Sequence, residues 1–146
     1  MGKKEALQRF ADRVGYAPSE VARFDNDDPR IRHMERIAPA AAKNSIIAEV
    51  VNARHCNSGY RPGDKFVMDV DGNFISKLCP KKMCVYLVAQ MMVPVALINE
   101  RFSEGLDPNE FHFMREVHCP DSGVNCGGYG EVMVRMSVRP RQGQGG

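Results

Sequence analysis

The chain has 146 residues, the length of one domain with room for a hydrophobic core. Its apolar fraction of 43%, its charged fraction of 26% and its net charge of +2 are those of an ordinary globular protein. The basic residues are scattered, which argues against nucleic-acid binding. The charged, amphipathic start lacks the apolar stretch of a secretory signal. A cytoplasmic location is therefore expected.

Residues 1–44 predict an N-terminal helical arm. Apolar side chains recur at helical spacing over residues 3–14, and Gly15 follows them. A short helix is expected from Pro18 to Phe24. A third should begin at Asp27-Asp28-Pro29, and Pro39 should end or bend it. The arm contains no catalytic constellation.

Residues 45–138 predict an α+β domain that contains all the cysteines. Alternating or β-rich segments separated by turn residues favour an antiparallel sheet of four or five strands. The expected strands are residues 46–53, 65–70, 74–76, 111–117 and 131–138. The glycine-rich tail, residues 139–146, is expected to be disordered.

The longest apolar run, from Met83 to Ile98, predicts one long helix packed on this sheet. It is shorter than the ~20 residues that cross a bilayer, so a buried helix is expected and a membrane partner is not. Since the run is apolar nearly all round, one face of a sheet cannot bury it completely. The arm or a second subunit must cover the rest, and a homodimer or larger assembly is expected. Pro94 should kink or break the helix.

Five cysteines in a cytoplasmic chain are a poor disulfide framework, because the compartment is reducing and the count is odd. Each cysteine falls at the end of a predicted element, where a loop can turn it towards a common point. Three or four thiolates of this kind bind zinc or an iron–sulfur cluster. The candidate ligands are Cys56, Cys79, Cys84, Cys119 and Cys126.

Four neighbouring residues are predicted to support that site. His55 and His118 each directly precede a cysteine, and adjacent strand residues point to opposite faces. The histidines are therefore expected to be hydrogen-bonded neighbours of the ligands. Cys79 and Cys84 are expected at the entrance of the long helix, where the helix dipole together with Lys81 and Lys82 stabilises thiolate.

The favoured function is a small metal-binding protein, an accessory or redox subunit with a partner redox protein or enzyme. Two alternatives are a metal-free thiol enzyme that uses Cys79 or Cys84, and a non-catalytic interaction module with inert buried cysteines. The glycine-rich stretch from Cys126 to Gly130 runs into a strand and so does not favour a nucleotide site. Its glycines indicate a close approach of the backbone.

Five short motifs resemble a family of small uncharacterised prokaryotic proteins that carry an HC…GD-x-F…LCP…CPD series. They are His55-Cys56, Gly59-Tyr60, Gly63-Asp64-x-Phe66, Leu78-Cys79-Pro80 and Cys119-Pro120-Asp121. The resemblance covers about residues 46–138 and implies no activity. It implies that Cys56, Cys79 and Cys119 are shared by the family, with Cys84 and Cys126 as additions of a narrower subgroup.

Overall fold

The computed structural model describes residues 2–141. It is an α+β structure with a four-stranded antiparallel sheet, as predicted. The helices are α1 (Lys3–Val14), α2 (Pro18–Val21), α3 (Pro29–Lys43), α4 (Val85–Ala89) and α5 (Met92–Ser103). The strands are β1 (Asn44–Arg54), β2 (Lys65–Met68), β3 (Glu116–His118) and β4 (Glu131–Pro140), in the spatial order β2-β1-β4-β3.

The arm builds a small core of its own before it meets the rest of the chain. Ala6, Leu7, Ile31 and Met34 are buried together between α1 and α3. Gly15 ends α1 in the left-handed conformation (φ 86°), and the Asp28 carboxylate accepts the Arg30 N–H at the start of α3. Helix α3 does not end at Pro39 but continues to Lys43, and it packs against α5.

The main core lies between one face of the sheet and α4–α5. Alternate residues of β4 are buried, Val132, Val134, Met136 and Val138, and they meet Leu87, Met91 and Ile98. The opposite face of the sheet carries cross-strand ion pairs, including Arg135 with Glu116. In the described part of the chain, no helix has the length and apolar character needed to cross a membrane.

The prediction of one long helix is wrong, because the helix breaks at Gln90 and Met91 into α4 and α5. A proline cannot donate to the carbonyl four residues before it, and its ring collides with that carbonyl. For Pro94 that carbonyl belongs to Gln90, which is where α4 has ended. Pro94 itself lies in the first turn of α5, where its missing N–H costs little.

The strand predicted for residues 111–117 shortens to β3 because Met114 takes a left-handed conformation (φ 58°). Asn109 fills the place of the missing strand, with its side chain bonded to both backbone groups of Val138 at 2.8 and 3.0 Å. Residues 74–76 form a single bridge, from Phe74 to Met68, and not a fifth strand. Strand β4 takes in Arg139 and Pro140 of the predicted tail, and residues 142–146 lie outside the described part.

Candidate functional site

The topology of the sheet brings Cys56 and Cys119 to the same edge. Strands β1 and β3 both pair antiparallel with β4, so they run in the same direction and end near the start of β4. Cys56 follows the end of β1, and Cys119 follows the end of β3. The two His-Cys pairs of the sequence therefore lie at one edge of the sheet.

The backbone at the end of β1 is held in an unusual conformation. His55 has φ 55°, a left-handed conformation that non-glycine residues seldom take. Gly130, directly before β4, packs against this turn. A Cβ on Gly130 would lie 2.7 Å from the His55 carbonyl carbon and 2.8 Å from the Arg54 oxygen. Position 130 therefore needs glycine, because the backbone before β4 packs directly against the backbone at the end of β1. Cys56 comes directly after this contact.

Cys84 reaches the same place from α4, where it is the N-cap residue. Its sulfur forms no cap hydrogen bond, but the N–H groups of Leu87 and Tyr86 point towards it. The Leu87 N–H does most to lower the pKa of Cys84, burial opposes it, and the Tyr86 N–H and the Ser58 hydroxyl add to the lowering. The electrostatics at this thiol favour thiolate.

One cavity of about 950 Å³ is lined by these three cysteines. Cys56, Cys84 and Cys119 come from three separate segments of the chain, and each is half-buried. The remaining wall includes His55, Ser58, Tyr86, Asp121, Tyr129 and Glu131. We call this space the cysteine cavity. Among residues 2–141, no three His, Cys, Asp or Glu side chains are arranged to hold a metal ion.

Burial raises the pKa of Cys119, and the N–H of Asp121 opposes that effect. Negative charge on Cys84, Asp121 and Cys56 raises it further. Two thiols of one cavity therefore have pKa values shifted in opposite directions, with Cys84 the more easily ionised.

The other two cysteines lie outside the cysteine cavity. The Cys79 thiol accepts the Val67 N–H at 3.3 Å and donates to the Val67 carbonyl at 3.4 Å, so it binds the edge strand β2. It follows the short 3-10 turn Ser76–Leu78 and is not at a helix entrance, which corrects that prediction. Cys126 is exposed, at the end of the 3-10 turn Val124–Cys126.

The predicted supporting residues also separate. Both histidines are exposed, and His55 lines the cavity whereas His118 does not. Lys81 and Lys82 are exposed and are not among the lining residues. The contribution of Lys82 is its backbone carbonyl, which accepts a hydrogen bond from Tyr60.

Tyr60 and Asp121 were not singled out as site residues from the sequence. The buried Tyr60 hydroxyl donates to the Lys82 carbonyl and accepts the Cys84 N–H, each at 2.8 Å. It thereby fixes the backbone on which Cys84 stands. The signal in the sequence was that Tyr60 belongs to the short motif Gly59-Tyr60 and Asp121 to the short motif Cys119-Pro120-Asp121.

Asp121 organises the glycine-rich loop beside the cavity. Its carboxylate accepts N–H groups of Tyr129 (2.8 Å), Gly123 (3.0 Å) and Gly130 (3.0 Å). The Tyr129 N–H does most to hold the pKa of Asp121 below its ordinary value, the Gly123 N–H comes next, and burial opposes them. Gly128 lies so close to this carboxylate that a Cβ would collide with it. The loop therefore encloses a carboxylate of the protein itself, which leaves no place there for a phosphate.

Comparison with protein-family models, with curated protein sequences and with solved structures finds no match to this chain. The resemblance to a prokaryotic family therefore stays a prediction from the five short motifs.

Proposed function

We propose that this protein binds a metal centre through Cys56, Cys84 and Cys119. The observation that carries the proposal is that three cysteines from three segments line one cavity. A cysteine kept only as a small apolar residue would lie within a strand or on the inner face of a helix. Here two follow strand ends and one caps a helix, so that all three are available to the cavity.

An iron–sulfur cluster demands less of the spacing of three sulfurs than a single zinc ion does. A tetrahedral zinc with Zn–S bonds of about 2.3 Å requires its sulfurs within about 3.8 Å of one another. The side chains of residues 2–141 offer no group of three ligands arranged around a single ion. In a cluster the thiolates bind different iron atoms, so they stand farther apart. We therefore place the iron–sulfur cluster first and zinc second.

Three thiolates are one fewer than the four cysteines of the usual cluster. His55 lines the same cavity and is available as a fourth ligand or as a hydrogen-bonding neighbour. The cavity also has the volume of a small-molecule site. A centre with one position open towards such a cavity suits an accessory or redox subunit in a reducing, cytoplasmic compartment.

Elemental analysis of protein purified without oxygen tests the proposal. We expect iron and acid-labile sulfide bound to the chain, with absorbance at about 400 nm that dithionite bleaches. Stoichiometric zinc in a colourless protein would show that the metal centre is a zinc ion and not an iron–sulfur cluster. A protein that carries neither metal, and whose cysteines all react freely with a thiol reagent, would contradict metal binding.

A thiol-dependent activity at Cys84 is the second candidate, and the position of this residue favours it over Cys79. Cys84 lines the cavity, and its sulfur lies near the first N–H groups of α4, whereas the Cys79 thiol is bonded to β2. A thiolate held beside a cavity is a nucleophile for an electrophilic ligand.

In metal-free protein, alkylation by iodoacetamide is expected to reach Cys84 at a lower pH than Cys119. The reason is the opposite direction of the two pKa shifts, since the reagent attacks thiolate and Cys84 forms thiolate first. Mass spectrometry of the two peptides after timed alkylation over a range of pH measures both midpoints. A midpoint for Cys119 at or below that for Cys84 would show that the assigned electrostatics are wrong.

A further inference from the structure

Another cavity, of about 420 Å³, lies between the N-terminal arm and α5. Its volume is within the range of small-molecule sites, which is about 300–1,000 Å³. Aromatic rings of the arm form one part of its wall, and polar side chains of α3 and α5 form another: Phe10, Tyr16, Phe24, His33, Asn99 and Glu100. We call this space the arm cavity. None of residues 2–141 lines both the arm cavity and the cysteine cavity.

The α5 side of the arm cavity carries hydrogen-bond acceptors. Both amide hydrogens of Asn99 are used, because its Nδ2 donates to the Val70 carbonyl at 3.1 Å and to the Val95 carbonyl at 3.0 Å. The Asn99 Oδ1 accepts no hydrogen bond from residues 2–141. The exposed Glu100 carboxylate has no ion-pair partner among the same residues. A ligand that contacts these two groups must supply the hydrogen-bond donors.

The bond between His33 and Ser103 adds a third acceptor to this wall. The Ser103 hydroxyl has one hydrogen, and it donates that hydrogen to the Asn99 carbonyl at 3.0 Å. It must therefore accept from the His33 Nδ1, which is 2.5 Å away. In the neutral imidazole the other ring nitrogen, Nε2, is then an acceptor. The polar part of the wall is matched to a ligand with several N–H groups.

The arginines of the wall already have carboxylate partners. Arg30 is paired with Asp28 at 2.6 Å, and Arg32 with Glu104 at 2.6 Å. The Arg32 Nε lacks a partner within residues 2–141, but this atom is buried too deeply for a ligand in the cavity to reach it. The carboxylate of Glu100 therefore gives the wall an unbalanced negative charge.

The aromatic part of the wall is also suited to positive charge. Tyr16 stands between Phe10 and Phe24, with 5.8 Å between ring centroids on either side. Cations of the protein lie over the two outer rings. Arg13, which does not line the cavity, is 5.1 Å from the Phe10 centroid, and Arg30 is 4.1 Å from the Phe24 centroid. The face of an aromatic ring attracts a cation, so these rings favour an organic cation over an organic anion.

We propose that the arm cavity binds a small organic cation, an amine that carries an apolar or aromatic group. Glu100 and the neighbouring acceptors take the N–H groups of the ammonium, and the rings around Tyr16 contact its apolar part. An organic anion would instead meet the Glu100 carboxylate, with no unpaired arginine in the wall to balance it. This site does not depend on metal binding at the cysteine cavity.

Titration of the isotope-labelled full chain with three probes of similar size tests the charge of the ligand. The probes are benzylammonium, benzyl alcohol and benzoate, and amide NMR shifts report binding. Benzylammonium is expected to shift the amides of Tyr16, His33 and Glu100 together, with saturation, and to bind about 10-fold more tightly than benzyl alcohol. Benzyl alcohol that binds as tightly, or benzoate that binds more tightly, would overturn the cation. A lack of saturable shifts with all three probes would overturn the site.

Glu100→Gln tests the group that binds the ammonium, because it removes the charge and keeps the size of the side chain. It should weaken benzylammonium binding by about 10-fold and leave benzyl alcohol binding unchanged. The matched control is Glu110→Gln, which changes an exposed carboxylate outside the arm cavity and should leave both affinities at their wild-type values. A folded Glu100→Gln chain that binds benzylammonium as the wild type does would overturn the proposal.

Discussion

Gly130→Ala is expected to destabilise the fold by about 3 kcal/mol or more, since its new Cβ would overlap backbone atoms that no side-chain rotation can move. Those atoms are the His55 carbonyl and the Arg54 oxygen, both within 3 Å of the added carbon. To make room, the end of β1 would have to separate from the start of β4 and carry Cys56 away from the cavity. Urea unfolding followed by circular dichroism gives the free energy.

Gly127→Ala is the matched control in the same loop. A Cβ there meets nothing within 4 Å, but Gly127 has φ 87°. The left-handed conformation alone should cost about 1–2 kcal/mol. Equal costs for the two variants would mean that the close approach of Gly130 to β1 is not what holds this edge of the sheet.

Tyr60→Phe is expected to lower the free energy of unfolding by about 1–3 kcal/mol, because it leaves the Cys84 N–H and the Lys82 carbonyl without their partner. The ring itself stays buried against Phe66, at 5.3 Å between centroids, so the loss belongs to the hydroxyl. Burial is the main effect on the pKa of Tyr60 and raises it, while the N–H of Cys84 acts in the opposite direction. The hydroxyl therefore stays neutral and keeps the proton that it donates to the Lys82 carbonyl.

Tyr129→Phe is the control for the hydroxyl effect, because Tyr129 is 80% exposed. It should change the free energy of unfolding by no more than about 0.5 kcal/mol. If Tyr60→Phe is equally mild, Tyr60 does not fix the position of Cys84. The same denaturant series measures both variants.

The sequence was most informative about the site at the ends of its predicted strands, where Cys56 and Cys119 lie. The regular alternation of β4 and the β-rich composition of β1 predict two strands, and the structure shows both, as the central pair of the sheet. The positions of Cys56 and Cys119 at strand ends followed from β1 and from the strand predicted for residues 111–117. A common point for Cys56 and Cys119 was expected from those positions, but the strand order that produces it, with β4 between β1 and β3, was not. That order is set by contacts between distant segments and leaves no local pattern.

Cys79 and Cys84 show the limit of spacing as evidence. Five positions apart, both were expected at one helix entrance, yet α4 begins only at Val85. The shift of the helix start leaves Cys84 at the cavity and sends Cys79 to the edge strand β2. Tyr60 was hidden for a similar reason, since its partners lie 22 and 24 residues further along the chain. Pro94 was correctly predicted to disrupt the helix. The break appears one turn earlier, at Gln90, whose carbonyl cannot accept a hydrogen bond from a proline.

The metal content of two multiple variants purified without oxygen tests the three-cysteine site most directly. Replacement of Cys56, Cys84 and Cys119 together by serine should remove the bound metal, because all three proposed ligands are lost. Replacement of Cys79 and Cys126 together should leave the metal-to-protein ratio at the wild-type value, since neither thiol faces the cavity. If the double variant loses the metal, or the folded triple variant keeps it, the three-cysteine site is contradicted.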